Sequence, residues 1–353
     1  MRVLVLGGTG AMGEHLVQLL ADEKIETYVT SRKKLDSFGT VQYIQGNAHD
    51  EVFITHLLQE KFDVIIDFMV YTTLEFANKV DSYLNNTDQY IFLSSARVYA
   101  NSDKPLTEDS PRLLDVAQDK EYLKTDEYAL AKARQEDLLI NNKNRNWTII
   151  RPYITYSNIR LQLGVLEKED WLYRALYGHK VLFPIDLMEK KTTLTYGYDV
   201  ALGIKSVIGK ENTLSNAFHI TQDNSITWSN VWKLYKETIR DNTETEPLIM
   251  LCDMNQFENV HKGHYQIHYD RMYDRVFSND KIKQYLDTSS FTQSELGIKK
   301  CLSELISNLS NLKEMIRYGS EGSKDRITKE YWKFSDIPSL KKKLKYTIRR
   351  IGL

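Results

Sequence analysis

Residues 3–13 read VLVLGGTGAMG, an apolar run that leads directly into three glycines spaced three residues apart. The apolar run predicts a strand buried on both faces of a parallel sheet, and the leucines beyond it recur at helical spacing. In such a strand–turn–helix unit, Gly7 permits a tight turn, Gly10 lets a pyrophosphate approach the backbone, and Gly13 lets the helix pack closely. The alternative interpretation is an ordinary strand–helix turn.

Short apolar runs continue to alternate with helical patterns, and six strands are predicted by about residue 150. Repeated units of this length predict an α/β fold of the Rossmann type, with a doubly wound parallel sheet. We therefore predict a dinucleotide-binding domain over residues 1–157, to which residues 192–220 return. Residues 158–335 would form a smaller, discontinuous substrate-binding lobe.

The end of the chain has a different composition. Residues 338–353 contain six lysines and arginines and no acidic residue. The apolar positions that share one helical face are Leu340, Leu344, Ile348 and Ile351. We predict a basic amphipathic helix over residues 336–353. Such a helix can lie weakly on an anionic membrane surface, or it can dock on its own protein or on a second subunit.

Composition and charge exclude several classes of protein. The 353 residues carry 47 Lys plus Arg and 48 Asp plus Glu, a net charge of −1, which argues against a nucleic-acid binder. Two cysteines provide no disulfide framework, and no apolar run approaches the roughly 18 residues of a membrane span. With 42% hydrophobic residues, a large core can form. We expect a globular protein of the cytoplasm.

The end of the second predicted strand bears on the choice of cofactor. An acidic residue about 20 positions beyond the glycines usually binds the ribose hydroxyls of NAD. Here Ser31 and Arg32 are followed by two lysines, and Arg32 is suited to pair with the 2′-phosphate of NADP. The pattern favours NADP, with NAD as the alternative; otherwise Arg32 lies in a solvated turn. Asn47, after the third strand, either meets the adenine amino group or caps a turn.

Tyr128 and Lys132 lie four residues apart on a predicted helix and therefore share one face. The lysine charge favours the phenolate, and a tyrosine in this setting can exchange a proton with a sugar hydroxyl. Ser95 follows the fifth predicted strand, at the edge of the sheet where open α/β folds bind ligands. It would hydrogen-bond the reacting oxygen; the alternative is a serine that caps a turn.

Together these motifs resemble the extended short-chain dehydrogenase/reductase family, in particular its nucleotide-sugar epimerase/dehydratase branch, over about residues 1–235. The resemblance implies that Ser95, Tyr128 and Lys132 are catalytic. It also implies a nicotinamide cofactor held by Lys132 together with Gly7, Thr9, Gly10, Ala11, Met12, Gly13, Ser31, Arg32, Asn47 and Phe68. We predict substrate contacts at Ser95, Arg97, Tyr128 and Tyr156, although the family usually has a small or acidic residue at the position of Arg97. A homodimer is common in this family.

Departures from the family pattern narrow the reaction. The family's dehydratases carry Asp-Glu where Ala96 and Arg97 follow Ser95 here, so dehydration is disfavoured. A 4-ketoreductase that consumes NADPH and a C4-epimerase that keeps NAD bound remain, and Arg32 favours the reductase. The expected substrate is a nucleotide-sugar of the kind used in polysaccharide biosynthesis. Relatives that only sense a cofactor or bind RNA typically lose the tyrosine or the lysine, and both are present.

A zinc site is a further alternative for part of the chain. His261, His264 and His268, with Cys252 upstream, offer nitrogen and sulfur ligands. Their spacing fits no closed zinc site, and the tyrosine chemistry needs no metal. We therefore predict that the protein holds no metal.

Overall fold

The computed structural model describes residues 1–310 and 315–352, so Leu353 of the predicted terminal helix lies outside the described residues. The chain divides into two compact units. The first unit comprises Met1–Thr155, Thr193–Asn224 and Arg275–Thr292. The second unit comprises Tyr156–Thr192, Ser225–Asp274 and Gln293–Leu353. Within the described residues, no helix is both long and apolar enough to cross a membrane.

The strands and helices are numbered in chain order. The strands are β1 (Arg2–Leu6), β2 (Glu26–Ser31), β3 (Val41–Gln45), β4 (Phe62–Asp67), β5 (Thr87–Leu93), β6 (Trp147–Pro152), β7 (Ile154–Tyr156), β8 (Gln162–Leu163), β9 (Leu166–Glu167), β10 (Val181–Pro184), β11 (Lys191–Thr192), β12 (Leu194–Tyr196), β13 (Asn216–Ile220), β14 (Ile226–Thr227) and β15 (Ile249–Cys252). The helices are α1 (Gly13–Asp22), α2 (Glu51–Leu57), α3 (Thr73–Asn85), α4 (Leu113–Val116), α5 (Lys120–Lys124), α6 (Tyr128–Ile140), α7 (Lys168–Leu176), α8 (Gly197–Val207), α9 (Trp228–Asn242), α10 (Met254–Glu258), α11 (His264–Gln266), α12 (Ser294–Ser307), α13 (Tyr318–Thr328) and α14 (Leu340–Ile351).

A seven-stranded parallel sheet in the order β3-β2-β1-β4-β5-β6-β13 forms the centre of the first unit. In its register, Val3 lies beside Val64 and Val5 beside Ile66. These four side chains are almost completely buried because helices cover both faces of the sheet. The predicted α/β fold with a doubly wound parallel sheet of the Rossmann type is confirmed.

Each face of this sheet has its own apolar core. On one face, Leu16 of α1 and Ile204 of α8 pack with Val5. On the other, Phe76 of α3 and Leu139 of α6 pack with side chains of β4 and β5. Each large apolar side chain buried in this way contributes about 2 kcal/mol relative to an exposed one. The two cores hold the strand ends in place, and the candidate site lies at those ends.

One segment of the first unit departs from the predicted boundaries. The sequence placed Arg275–Thr292 in the second lobe, whereas its Ile282 and Phe291 pack in the core beside β1 and α8. The backbone N–H of Thr292 also donates to the Asp199 carboxylate at 2.8 Å. This segment carries no β–α pattern and follows residue 224 only after about 50 residues of the other unit, so periodicity gave no sign of its return.

The second unit is built from short strand pairs and helices. β8 and β9 form an antiparallel pair, and β10 pairs in parallel with β15. Helices α9 and α12 pack together, and the rings of Trp171 and Tyr235 stack with centroids 4.1 Å apart. The buried guanidinium of Arg174 donates to the Glu321 carboxylate at 2.6 Å and thereby joins α7 to α13.

Candidate functional site

The turn between β1 and α1 takes its shape from glycines. Gly7 has a φ of +72°, in the left-handed region that favours glycine, and its N–H donates to Thr30 Oγ1 at 3.0 Å. A Cβ on Gly13 would lie 2.6 Å from the backbone of Gly8, so α1 begins in close contact with the turn. At Gly10, no heavy atom of the described residues lies within 4 Å of a Cβ position, which leaves this side open to a ligand.

The remaining turn residues present mainly backbone to this opening. Thr9 is exposed, and Ala11 and Met12 are partly exposed. Met12 precedes the first turn of α1, and its sulfur accepts a weak hydrogen bond from the Thr155 hydroxyl at 3.6 Å. Because the N-terminus of a helix favours negative charge, this turn can accept the pyrophosphate of a dinucleotide.

The turn that follows β2 is exposed to solvent. Ser31 is buried, and its hydroxyl accepts a hydrogen bond from the backbone N–H of Lys33 at 3.1 Å. The Arg32 side chain is exposed and forms no ion pair within the part of the chain that the structure describes. The next acidic residue in the chain is Asp36, which is also exposed. The guanidinium of Arg32 can therefore turn towards a phosphate.

Two predicted cofactor residues have local roles in the structure. The Asn47 side-chain oxygen accepts a hydrogen bond from the backbone N–H of His49 at 3.2 Å, the turn cap that the sequence left open as an alternative. Phe68 directly follows β4, and its N–H donates to the Leu6 carbonyl at 3.0 Å. Its partly buried ring packs against the core beneath the sheet edge. Among the described residues, neither Asn47 nor Phe68 forms a hydrogen bond with Arg32.

Lys132 is held in place by backbone carbonyls of the core. Its side chain is buried, and Nζ donates to the Leu93 carbonyl at 2.7 Å and to the Met69 carbonyl at 3.4 Å. Burial lowers the pKa of Lys132 to about 8, although the carboxylates of Asp67 and Glu136 act in the opposite direction. The ammonium is thus fixed between the carboxyl ends of β4 and β5.

The buried carboxyl of Asp67 helps to hold the loop after β4, to which Lys132 is bonded. It accepts a hydrogen bond from the Tyr90 hydroxyl at 2.7 Å and another from the Met69 backbone N–H at 2.8 Å. Burial raises the pKa of Asp67, while these hydrogen bonds and the charge of Lys132 lower it. The loop after β4 is held in place by these contacts, and Lys132 bonds to a carbonyl of the same loop.

Tyr128 is the first residue of α6 and remains partly exposed. The preceding residue, Glu127, caps the helix by accepting a hydrogen bond from the Ala129 N–H at 2.8 Å. The same carboxylate pairs with Arg97 at 2.6 Å, and the Arg97 guanidinium lies 5.2 Å from the centre of the Tyr128 ring. The predicted substrate residue Arg97 is therefore tied to the residues beside Tyr128.

Ser95 lies at the carboxyl end of β5 and is 7% exposed. Its hydroxyl oxygen accepts a hydrogen bond from the Arg97 N–H at 3.2 Å and caps the short 3₁₀ turn Ala96–Val98. This turn packs against α6, the helix that carries Tyr128 and Lys132. A hydroxyl that accepts one hydrogen bond keeps its own hydrogen to donate, so capping leaves the predicted catalytic role open.

A buried polar network behind the site was missed by sequence reasoning. Glu136 lies four residues beyond Lys132 on α6 and is fully buried. Its carboxylate accepts a hydrogen bond from the Ser94 hydroxyl at 2.5 Å and two from the Arg151 guanidinium at 2.8 Å each. The four-residue spacing of Tyr128, Lys132 and Glu136 could have placed Glu136 on the same helix face, but it could not have identified the partners of its carboxylate.

The network continues to β13. Arg151 also donates to the Tyr99 hydroxyl at 2.5 Å, and that hydroxyl lies 2.6 Å from His219 Nε2. His219 Nδ1 lies 3.0 Å from the Ser278 carbonyl, so Nδ1 carries the hydrogen and Nε2 accepts from Tyr99. Burial lowers the pKa of His219 to about 3, which keeps the imidazole neutral. These bonds fix strands β5, β6 and β13 relative to α6.

Two further sets of predicted residues lie in the second unit. Tyr156 closes β7 and is 1% exposed. Of the residues considered for zinc, His264 and His268 both contact Glu258, at 3.1 Å and 2.9 Å. The buried sulfur of Cys252 instead contacts the Phe183 carbonyl at 3.6 Å, and His261 stacks on Phe257. The four residues are thus not brought together as one set, and the absence of a metal stays a prediction.

Comparison with known proteins places the chain in a family. A family model described as the RmlD substrate binding domain matches residues 1–306. The chain belongs to this family. Its fold is that of the extended short-chain dehydrogenases/reductases, as the resemblance predicted.

Curated relatives match the chain over part of their length. The chain is 25% identical over 249 residues to the chloroplast stem-loop binding protein of 41 kDa b from Arabidopsis thaliana, a match that covers 66% of this chain and 61% of that protein. It is 29% identical over 136 residues to UDP-glucose 4-epimerase from Lactobacillus helveticus, which covers 31% of this chain and 41% of the epimerase. The chain thus spans less than two thirds of either relative.

Solved structures share the fold over most of the chain. The epimerase Mth375 from Methanothermobacter thermautotrophicus aligns with a TM-score of 0.70 at 14% identity, covering 89% of this chain and 94% of the epimerase. UDP-glucuronic acid 4-epimerase from Bacillus cereus, solved with UDP-glucuronic acid and NAD, aligns with a TM-score of 0.66 at 14% identity over 88% of this chain and 100% of its own. At this identity the likeness concerns the fold alone.

Proposed function

We propose that this chain is an NAD(P)-dependent oxidoreductase that acts on a nucleotide-sugar, at the carbinol or keto carbon C4 of the sugar. The observation that carries the proposal is the buried ammonium of Lys132, one helical turn beyond Tyr128 and bonded to the carbonyl that ends β5. Membership of the family and the open glycine turn support a dinucleotide beside these residues.

In this proposal, three side chains handle the substrate oxygen. The Tyr128 phenol donates its proton to the keto oxygen in the direction of reduction and takes it back in the direction of oxidation. The Ser95 hydroxyl donates a hydrogen bond to the same oxygen and stabilises the charge that develops on it. The Lys132 ammonium favours the phenolate and holds the ribose next to the nicotinamide. The cofactor, when bound, supplies or accepts the hydride.

We further propose that reduction with NADPH is the physiological direction. The exposed guanidinium of Arg32, at the end of β2 and without an ion-pair partner in the described chain, supports a site for the 2′-phosphate. A carboxylate at this place would repel that phosphate, and none stands between Ser31 and Asp36. A reductase consumes its cofactor once per turnover and must release it.

The proposal is tested with purified protein, NADPH and a 4-keto nucleotide-sugar. We expect absorbance of NADPH to fall and a product heavier by two hydrogens to appear in mass spectrometry. The same reaction with the Tyr128→Phe variant serves as the control for uncatalysed reduction. Failure to consume either NADPH or NADH with UDP- and dTDP-linked keto-sugars would contradict the reductase proposal.

A C4-epimerase is the second candidate, because one curated relative and two structural neighbours are epimerases and one of those structures was solved with NAD. An epimerase removes hydride from the sugar and returns it to the other face, so its cofactor stays bound. Protein that carries NAD through purification, and that converts a nucleotide-sugar into its epimer without net consumption of cofactor, would favour this candidate over the reductase.

The similarity to a stem-loop binding protein supports a candidate from another class, an RNA binder without turnover. Two observations oppose it: Tyr128 and Lys132 are both present, and the net charge is −1. Binding of a stem-loop RNA at physiological salt, unaffected by Tyr128→Phe and without any redox turnover, would favour it. We also propose a homodimer, which rests on the family resemblance and which light scattering tests through the mass. A location in the cytoplasm, expected from the low cysteine content, stays a proposal.

A further inference from the structure

The terminal helix α14 is fixed to the second unit by one of its faces. Tyr346 is buried, and its hydroxyl donates to the Asp325 carboxylate at 2.6 Å and accepts from the Trp332 N–H at 2.9 Å. The Arg350 guanidinium donates to the Glu330 carbonyl at 3.0 Å. The orientation of α14 about its own axis is therefore determined, and so is the direction in which its other faces point.

The apolar face of α14 points away from the protein. It consists of Leu340, Leu344, Ile348 and Ile351, which we call the apolar stripe, and their exposed fractions are 84%, 62%, 38% and 63%. The stripe continues into a groove that Ile351 lines together with Phe334, itself 56% exposed. Monomeric proteins rarely leave a row of large apolar side chains in water, so the stripe indicates an interaction surface.

Cations flank the apolar stripe along its length. At 100° per residue, Lys341 and Lys345 lie on one side of the stripe, and Lys343 and Arg350 lie on the other. Residues 338–352 contain no acidic side chain. In the part of this helix that the structure describes, Lys341, Lys345 and Arg349 form no ion pair. The charges of these three side chains are thus available to bind an external partner.

We propose that α14 docks the protein on an anionic phospholipid surface, with the apolar stripe among the acyl chains and the flanking lysines and arginines at the headgroups. An apolar face bordered by cations is the pattern of a helix that lies in the membrane interface. At 12 residues α14 is about 18 Å long, too short to span a bilayer and long enough to lie on one. This proposal is independent of the enzymatic activity.

Charge argues against a second copy of the chain as the occupant. A two-fold symmetric contact places the same surface patch on both partners. Here it would bring the cation-flanked face of one helix against the cation-flanked face of the other, with no acidic residue of α14 to offset the charges. An anionic surface complements both the charge and the apolar stripe.

The test is co-sedimentation of the full chain with vesicles of phosphatidylcholine alone or mixed with phosphatidylglycerol. We expect binding to the mixed vesicles and little to the neutral ones, and weaker binding at high salt because the charges are screened. The Leu344→Ser/Ile348→Ser variant should bind at least tenfold more weakly. The Lys341→Glu/Lys345→Glu variant should lose more than tenfold, since each cation near the surface is worth about fivefold.

The matched control is Val52→Ser/Leu296→Ser, which removes two apolar side chains that are 80% and 65% exposed elsewhere and should leave binding unchanged. Unfolding temperatures close to that of the unaltered chain would show that the variants are folded. No sedimentation with mixed vesicles at low salt, or equal binding by the stripe variant, would overturn the proposal. If the unaltered chain is a dimer and the Leu344→Ser/Ile348→Ser variant is a monomer, the apolar stripe binds a second copy of the chain. That result would also overturn the proposal.

Discussion

The start of α6 and the turn after β2 both bring a basic residue to the carboxyl edge of one sheet, and they do so in opposite ways. Lys132 is 2% exposed, with Nζ bonded to a carbonyl of the core. Arg32 is exposed, and in the described chain its side chain forms no ion pair. The group proposed for chemistry is built into the core, whereas the group proposed to select the cofactor stands on the surface.

This difference has consequences for mutation. A change at Lys132 removes a buried cation and leaves the Leu93 carbonyl without that partner, so it alters folding stability as well as activity. A change at Arg32 removes an exposed side chain and should leave stability within about 0.5 kcal/mol. Activity measured alongside stability therefore separates the two regions.

The largest expected effect is the loss of turnover in Tyr128→Phe. The substitution removes the proposed proton donor, and loss of a general acid lowers kcat by about 10²- to 10⁴-fold. Stability should change little because the ring is retained and the residue is partly exposed. Oxidation of NADPH by a 4-keto nucleotide-sugar measures the rate. Tyr331→Phe, at an exposed tyrosine of the second unit, is the matched control and should keep full activity.

If Tyr128→Phe keeps the turnover of the unaltered chain, the start of α6 serves only packing. The comparison between α6 and the turn after β2 would then have no chemical basis. A fall in kcat without a change in KM would instead agree with an interaction made in the transition state. We therefore measure kcat and KM separately, both for NADPH and for the 4-keto nucleotide-sugar.

Lys132→Met should change the dependence of stability on pH. The pKa of Lys132 is lowered from 10.5 to about 8 in the folded chain, so the unfolded chain binds more protons between these values. The free energy of unfolding of the unaltered chain should thus rise with pH across this window, because of this group, by up to about 3 kcal/mol. Below pH 8 the lysine is protonated in both states, and this gain in stability is absent. Lys132→Met lacks it, and urea unfolding of both proteins at several pH values measures the difference.

The outcome is read as the difference between the two proteins, because other groups titrate in both. If the stability difference between the two proteins does not vary with pH from 8 to 10, then burial does not lower the pKa of Lys132 as the structure indicates. The variant should also lose most of its activity, since the ammonium proposed to favour the phenolate of Tyr128 is gone.

The same two regions show what a sequence can predict. The glycine turn, the strand ends and the Tyr128–Lys132 pair were found because each is a local pattern over a few residues. The bonds of Glu136 to Ser94 and Arg151 were not found, since they join residues 42 and 15 positions apart through buried side chains. Local spacing carries no information about such pairings until the strand order is known.

Roles of polar side chains that can serve several partners were the hardest to predict. Arg97 was predicted to meet the substrate, and the structure adds its ion pair with Glu127, 30 residues away. For Asn47 the sequence left a turn cap open, and the structure shows that cap. The short polar side chain of Asn47 and the long cationic side chain of Arg97 can each bond to several kinds of partner. Residue type alone therefore does not predict which partner each one has.

A smaller effect is expected at the open region. Arg32→Ala should raise KM for NADPH about 10- to 100-fold, because charge-assisted hydrogen bonds to the 2′-phosphate are lost. KM for NADH should stay the same, since NADH has no such phosphate. Lys34→Ala, an equal loss of charge two residues further on, should change either constant by less than about threefold. Equal effects of Arg32→Ala on both cofactors would contradict the proposed phosphate site.

The smallest expected effect is that of Asn47→Ala, also in the open region. Loss of the hydrogen bond from the His49 N–H should lower stability by about 1 kcal/mol. If the same side chain also meets the adenine, KM for NADPH and NADH should rise together, by about threefold each, because both cofactors carry that base. A loss of stability with both KM values unchanged would make Asn47 a turn cap alone. The open region would then select its cofactor through Arg32, and no contact of Asn47 with the base would contribute.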